Sequence, residues 1–182
     1  MRNIFLAIVL WFGFHLSFGA IPQVPSQMEF AGMNLRITEA ARAEMQKHVN
    51  SLRASDKYFK IKLDRVNLYF PIIERVFKEE NLPDDFKYLV IQESALIGDA
   101  VSSANAVGFW QFKDFTGREV GLRIDNQIDE RMNIVAATRG AAKYMKTNNF
   151  YYKNWIYALM AYNTGRGGAR KYVKEDKYGV SK

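Results

Sequence analysis

The chain has 182 residues, 48% hydrophobic and 25% charged, enough for one globular domain with its own core. It has no cysteine and two histidines, so disulfide frameworks, thiol nucleophiles and zinc sites built on several Cys or His ligands have little to draw on. The formal charge of +7 suits an anionic partner (nucleic acid, a membrane or an acidic polymer), yet no run of five Lys/Arg and no nucleic-acid-binding signature accompanies it.

Residues 1–19 read as a secretory signal. Arg2 is the positive end, Ile4 through Phe14 the apolar run, and Ser17-Phe18-Gly19 a small-x-small cleavage site. A retained anchor is the alternative, but Ile4 to Phe18 is shorter than the roughly 20 residues a span needs, and His15 interrupts it. There is no cysteine to carry a lipid. Loss of the leader removes Arg2, its one charge, so +7 becomes +6 and His48 is the remaining histidine. His48 lies in the polar run Gln46-Lys47-His48, which reads as a solvated face.

Residues 20–62 read as a linker and an accessory helix. Pro22, Pro25 and Gly32 make Ile21 to Asn34 linker-like, and Thr38 can cap a helix from Glu39 to about Leu52 with Met45 and Val49 inward. Lys57 to Lys62 alternates weakly and is left open. Leu63 to Glu80 reads helical, with Pro71 either starting or kinking it. Pro83 then suits a first helical position, and Leu82, Phe86, Leu89 and Val90 form a stripe whose inward arc includes Glu93. A loop spans Gly98 to Asn105. A short helix is expected to end near Thr116-Gly117, a longer Ala-rich one to run from Glu130 to Thr147, and one from Trp155 to Tyr162 to be capped by Asn154 and stopped by Asn163-Thr164-Gly165. A last, basic segment is helical from Gly168 to Val173. No strand pair or repeat is apparent, so the expected class is all-α with short connections.

An inward carboxylate is unfavourable unless paired or protonated. Glu93 is therefore either neutralised by Arg or Lys, or a general acid whose pKa is raised by apolar neighbours. Asp99 is too far round the helix wheel to partner it, and Asp114, Asp125 and Asp129 read as caps and loop charges. Two-carboxylate glycosidase chemistry thus has no second acid in view. Gly165-Arg166-Gly167-Gly168 has no preceding strand and no following Lys-Ser/Thr, and is a turn rather than a phosphate loop.

Gln92-Glu93-Ser94, Ala106-Val107-Gly108-Phe109-Trp110-Gln111-Phe112 and Ala161-Tyr162-Asn163-Thr164-Gly165, in that order, resemble the lytic transglycosylase domain of the lysozyme superfamily, most of all its membrane-bound D type. The resemblance covers roughly residues 66–173. It implies a lysozyme-like helical domain over 63–182 that cleaves the MurNAc–GlcNAc β-1,4 bond of peptidoglycan without water or cofactor, leaving 1,6-anhydro-MurNAc ends. Glu93 would be the sole catalytic acid and base. Ser94, Ser102, Trp110, Gln111, Tyr162 and Asn163 would bind or surround the sugars, with no metal. Each has a plainer alternative: helix or loop polarity for the serines, core packing for Trp110, a helix C-cap for Asn163. The resemblance further implies a monomeric periplasmic protein acting on glycan strands, with peripheral or outer-membrane attachment left open and no nucleic acid partner. Relatives continue into a helix whose tyrosine packs beside the acid; Tyr172 and Tyr178 are poor substitutes, so the domain is expected to be C-terminally truncated. A hydrolase of the same superfamily and a non-catalytic peptidoglycan-binding module are the competing readings.

Overall fold

The computed structural model describes residues 21–174; the leader and Tyr178 lie outside that range. The N-terminal stretch is not a plain linker. Gln27–Phe30 (β1) and Met33–Arg36 (β2) pair antiparallel, with Met28 opposite Leu35 and Phe30 opposite Met33. Ala31 and Gly32 turn the hairpin with φ of 51° and 75°. The alternation of Met28 and Phe30, both buried, is the sequence trace of this pair, and it was hidden by its shortness.

Helix α1 (Glu39–Arg53) starts where Thr38 Oγ1 accepts from the Ala41 amide, and it buries Met45 and Val49 as the spacing predicts. Helix α2 (Asp56–Glu79) takes in Lys57 to Lys62 and passes through Pro71 without breaking. The division drawn at residue 62 therefore falls inside one continuous helix. Pro71 is exposed and lies within the span rather than at its start.

Leu82-Pro83 does not open an α-helix directly. Pro83 precedes a 3-10 helix, Asp84–Tyr88, which runs into the short α3 (Leu89–Ser94) carrying Glu93. Beyond it lie α4 (Asp114–Glu119), a 3-10 turn at Glu130–Met132, α5 (Ile134–Tyr152) and α6 (Trp155–Lys174). Gly117 lies inside α4, and Asn148-Asn149 lies inside α5 rather than ending it. Asn133 caps α5 with two amide bonds of 3.0 Å, and Asn154 caps α6 by accepting from Ile156 and Tyr157. Gly165, at φ 69° and ψ 164°, breaks α6 into two stretches, as its position after Asn163-Thr164 predicts.

Helix α5 packs against both α2 and α6. Ala137, Ala141 and Ala142 are fully buried on it, and their small side chains let both neighbours approach. One core joins Ile73 and Phe77 of α2, Leu89 and Val90 of α3, Trp110, Met145 and Leu159. Phe30 and Met45 belong to the same core, so the N-terminal residues are built into the domain rather than appended to it. Apart from the hairpin and three isolated bridges, the described residues are helical or looped, and the all-α class stands.

Candidate active site

Three anchors fix the entry to α3. Lys87 pairs with Glu74 of α2 at 2.5 Å and with Asp84 of its own turn. The Ala31 amide of the hairpin donates to Asp85 Oδ2 at 2.7 Å, and Phe30 meets Phe86 edge-on at 5.3 Å. Burial of Asp85 pushes its carboxyl upward, while the Ala31 bond opposes that shift.

The exit from α3 is a sharp reversal. Ala95 and Leu96, at φ of 51° and 61°, are both left-handed, a conformation unfavourable for residues with a Cβ. Arg65 Nη1 of α2 holds the Ala95 carbonyl at 3.1 Å. Glu93 is thus pinned on the last turn of a six-residue helix clamped at both ends.

Glu93 Oε1 is out of solvent and has no hydrogen-bond partner. Burial raises the pKa of this carboxyl from 4.5 to about 7, with no charged neighbour contributing to the shift. Of the two sequence alternatives, neutralisation by Arg or Lys is not what the fold provides. The group is protonated in a large fraction of molecules near neutral pH.

The loop between α3 and α4 folds back on itself by backbone pairing. Short bridges join Val101 to Val107 and Val107 to Phe112, and the Gly108 amide reaches the Ala100 carbonyl at 2.8 Å. Gly108 has φ 83°, and a Cβ there would lie 1.9 Å from the Arg131 carbonyl oxygen, so no other residue fits. Gln111, left-handed at φ 50°, uses its amide nitrogen to bind the carbonyls of Ala100 and Gly108 at 3.1 and 3.0 Å. It is half-buried and ties the two arms of the loop together.

Two hydrogen bonds bring the three sequence motifs into one place. Ser94 Oγ donates to the Phe109 carbonyl at 2.8 Å, and the Tyr162 hydroxyl donates to the Trp110 carbonyl at 2.6 Å. Tyr162 lies close enough to Glu93 for that carboxylate, after burial, to add to the strong rise of the phenol pKa. It remains a neutral donor. Tyr144 of α5 backs its ring at 5.5 Å, a contact that the sequence motifs did not signal.

Several sequence expectations are corrected here. Trp110 has no exposed surface. It packs against Phe77 at 5.6 Å and its Nε1 donates to Thr138 Oγ1 at 2.9 Å, so it offers no face to a sugar. Ser94 is buried, and its hydroxyl donates to the Phe109 carbonyl and so holds the loop against α3. Ser102 Oγ accepts the Ala106 amide at 3.0 Å and shapes the same loop. Asn163 is half-buried, with only a 3.4 Å bond from Nδ2 to the Leu159 carbonyl. Asp129 does cap the 3-10 turn, but it is more than a loop charge: it grips the buried Arg131 through Nε and Nη2 at 2.9 and 2.6 Å. Tyr172 packs on Tyr157, Met160 and Ala169, in a cluster separate from the main core. No group of three or more His, Asp or Glu among the described residues is placed to hold a metal.

Comparison with known proteins agrees with this geometry. The Transglycosylase SLT domain family matches residues 70–180. Membrane-bound lytic murein transglycosylase D of Escherichia coli (strain K12) is 36% identical over 114 residues, 62% of this chain and 25% of that protein. Its namesake in Escherichia coli O6:H1 (strain CFT073) matches with the same figures. The chain spans about a quarter of the length of these curated relatives. With the family's match running from the middle of α2 through the Glu93 loop to the end of α6, the chain belongs to the transglycosylase SLT-domain family.

Proposed function

We propose that the chain is a peptidoglycan lytic transglycosylase with Glu93 as its single acid and base. The observation that carries this reading is the orphaned, buried Oε1 of Glu93, whose carboxyl stays protonated up to about pH 7. A carboxylic acid in that state can donate to a leaving oxygen where an ordinary glutamate cannot. In the proposed reaction Glu93 protonates the glycosidic oxygen as the MurNAc C1–O bond breaks and GlcNAc leaves with its 4-hydroxyl. The acetamido carbonyl of MurNAc closes on C1. Glu93, now a carboxylate, takes the proton from the 6-hydroxyl as that oxygen attacks C1 and releases the acetamido group. The product is a 1,6-anhydro end, and Glu93 regains its proton without water.

Gln111 and Asn163 are the residues we assign to the sugars: both are half-buried, and the Gln111 amide nitrogen also ties the loop together. Tyr162, Ser94 and Ser102 hold the loop around the acid. The apolar leader and basic composition support export to the periplasm, where glycan strands are the partner. Among the described residues no helix is long and apolar enough to cross a membrane.

Digestion of purified sacculi followed by mass spectrometry tests the reading. Anhydro-muropeptides are expected from the wild type and none from Glu93→Gln. Reducing ends would assign a hydrolase instead, and full activity of the variant would remove Glu93 from the chemistry.

A further inference from the structure

Residues 134–174, the whole of α5 and α6, contain eight Lys and Arg and no Asp or Glu. Three of the eight are neutralised by glutamates of other elements: Arg139 by Glu79, Lys146 by Glu80 and Arg166 by Glu119, at 3.1, 2.7 and 3.7 Å. Lys153 and Arg170 pair with no carboxylate among the described residues, and they sit beside the two most exposed aromatic side chains of this helix pair. Phe150 is 76% and Tyr151 51% exposed. Lys153 Nζ lies 3.9 Å from the Phe150 ring centroid, and Arg170 Nη2 donates to the Tyr151 hydroxyl at 3.2 Å. The neighbouring Tyr152 ring packs on Tyr151 at 4.9 Å and its hydroxyl holds the Arg166 carbonyl, which fixes the patch against α6.

From this juxtaposition we propose that Phe150, Tyr151, Lys153 and Arg170 form a docking surface for the headgroup region of an anionic lipid bilayer. Aromatic rings with cations at their edge fit an interface where hydrocarbon meets anionic headgroups. The ammonium at one face of Phe150 occupies ground that a stacked sugar would need, and Phe150 has no polar atom to read a glycan. Charge complementarity supplies the rest, because the charged side chains of α5 and α6 themselves are all positive. The patch lies toward the C-terminal end of α5, away from the residue that meets Trp110. Thr138, which touches Trp110 of the loop around Glu93, is twelve residues before Phe150 on α5, about 18 Å along the helix axis. This attachment does not depend on the catalytic reading.

Vesicle co-sedimentation of the full chain tests the surface, with residues 1–19 common to every variant. Binding to phosphatidylcholine vesicles containing phosphatidylglycerol is expected to weaken by about tenfold or more in Lys153→Glu/Arg170→Glu. Phe150→Ser is expected to weaken it by about threefold or more, since the ring's apolar area leaves the interface. Far-UV circular dichroism and digestion of sacculi are expected to match the wild type in all variants, which separates docking from misfolding. Equal binding to vesicles with and without phosphatidylglycerol, or binding unchanged by the charge reversals, overturns the proposal. Loss of binding to sacculi alone, with vesicle binding unaffected, reassigns the surface to the wall polymer and also overturns it.

Discussion

Glu93 and Arg131 are both ionisable side chains taken out of water within one fold, and they are treated in opposite ways. Arg131 is buried with its counter-ion supplied: Asp129 grips the guanidinium, and Nη1 also donates to the Phe112 carbonyl at 3.2 Å. The Arg131 side chain holds the Asp129 carboxyl below its usual range. Glu93 is buried with nothing supplied, and its carboxyl is raised to about 7. The two groups also face the same loop, since Arg131 packs its carbonyl against Gly108 while Ser94, next to Glu93, holds Phe109. A paired charge fixes structure at little chemical consequence. An unpaired carboxyl keeps its proton, and in the proposed mechanism that proton is the reagent.

The contrast breaks most sharply by substitution at the acid. Glu93→Gln is expected to lower the rate of sacculus digestion by about 10²- to 10⁴-fold, read as released muropeptides, because the amide has no proton to give. In the wild type the rate should fall as pH rises through about 7, where the donor is lost.

On the paired side, Asp129→Ala leaves the guanidinium buried without its counter-ion. A loss of about 3 kcal/mol or more is expected in urea denaturation at neutral pH. The depressed Asp129 carboxyl contributes stability that is present above the unfolded pKa and lost as pH falls through its folded value. The gap between wild type and Asp129→Ala should therefore narrow in acid.

Glu93 has the reverse dependence. Its folded pKa is raised, so the native state binds more protons than the unfolded chain between pH 4.5 and about 7 and loses stability as pH rises through that window. Glu93→Gln should have nearly wild-type stability at pH 4 and be more stable at pH 8, by up to about 3 kcal/mol. Thermal denaturation at the two pH values reads the difference. Equal stability at both would mean that the carboxyl is solvated in the folded protein.

The smallest effect is expected at Trp110→Phe, which keeps the ring packing on Phe77 but loses the bond to Thr138. It should cost about 1 kcal/mol in stability, with muropeptide release little changed. A large rise in KM with unchanged stability would restore Trp110 to the sugar site.

Much of this site was legible in the chain because its signals are local. A carboxylate on an apolar stripe and helix caps at Thr38 and Asn154 are each readable from a few neighbouring residues. The hairpin was not, because four-residue strands carry too little alternation to rise above a Pro- and Gly-punctuated run. The full burial of Trp110 was not legible for another reason. Whether an indole faces a cleft or the core depends on what α2 and α5 place beside it, here Phe77 and Thr138, and those partners are distant in sequence.

The amino-acid sequence by itself determined the helical class, the capped starts of α1 and α6, and the candidacy of Glu93, since capping and periodicity act over a turn or two of chain. Only the tertiary structure decided that this carboxyl would go unpaired while Arg131 found Asp129, and that the hairpin would brace Asp85. Burial and pairing are properties of the space between elements, so they exist only once the helices and the loop have packed together.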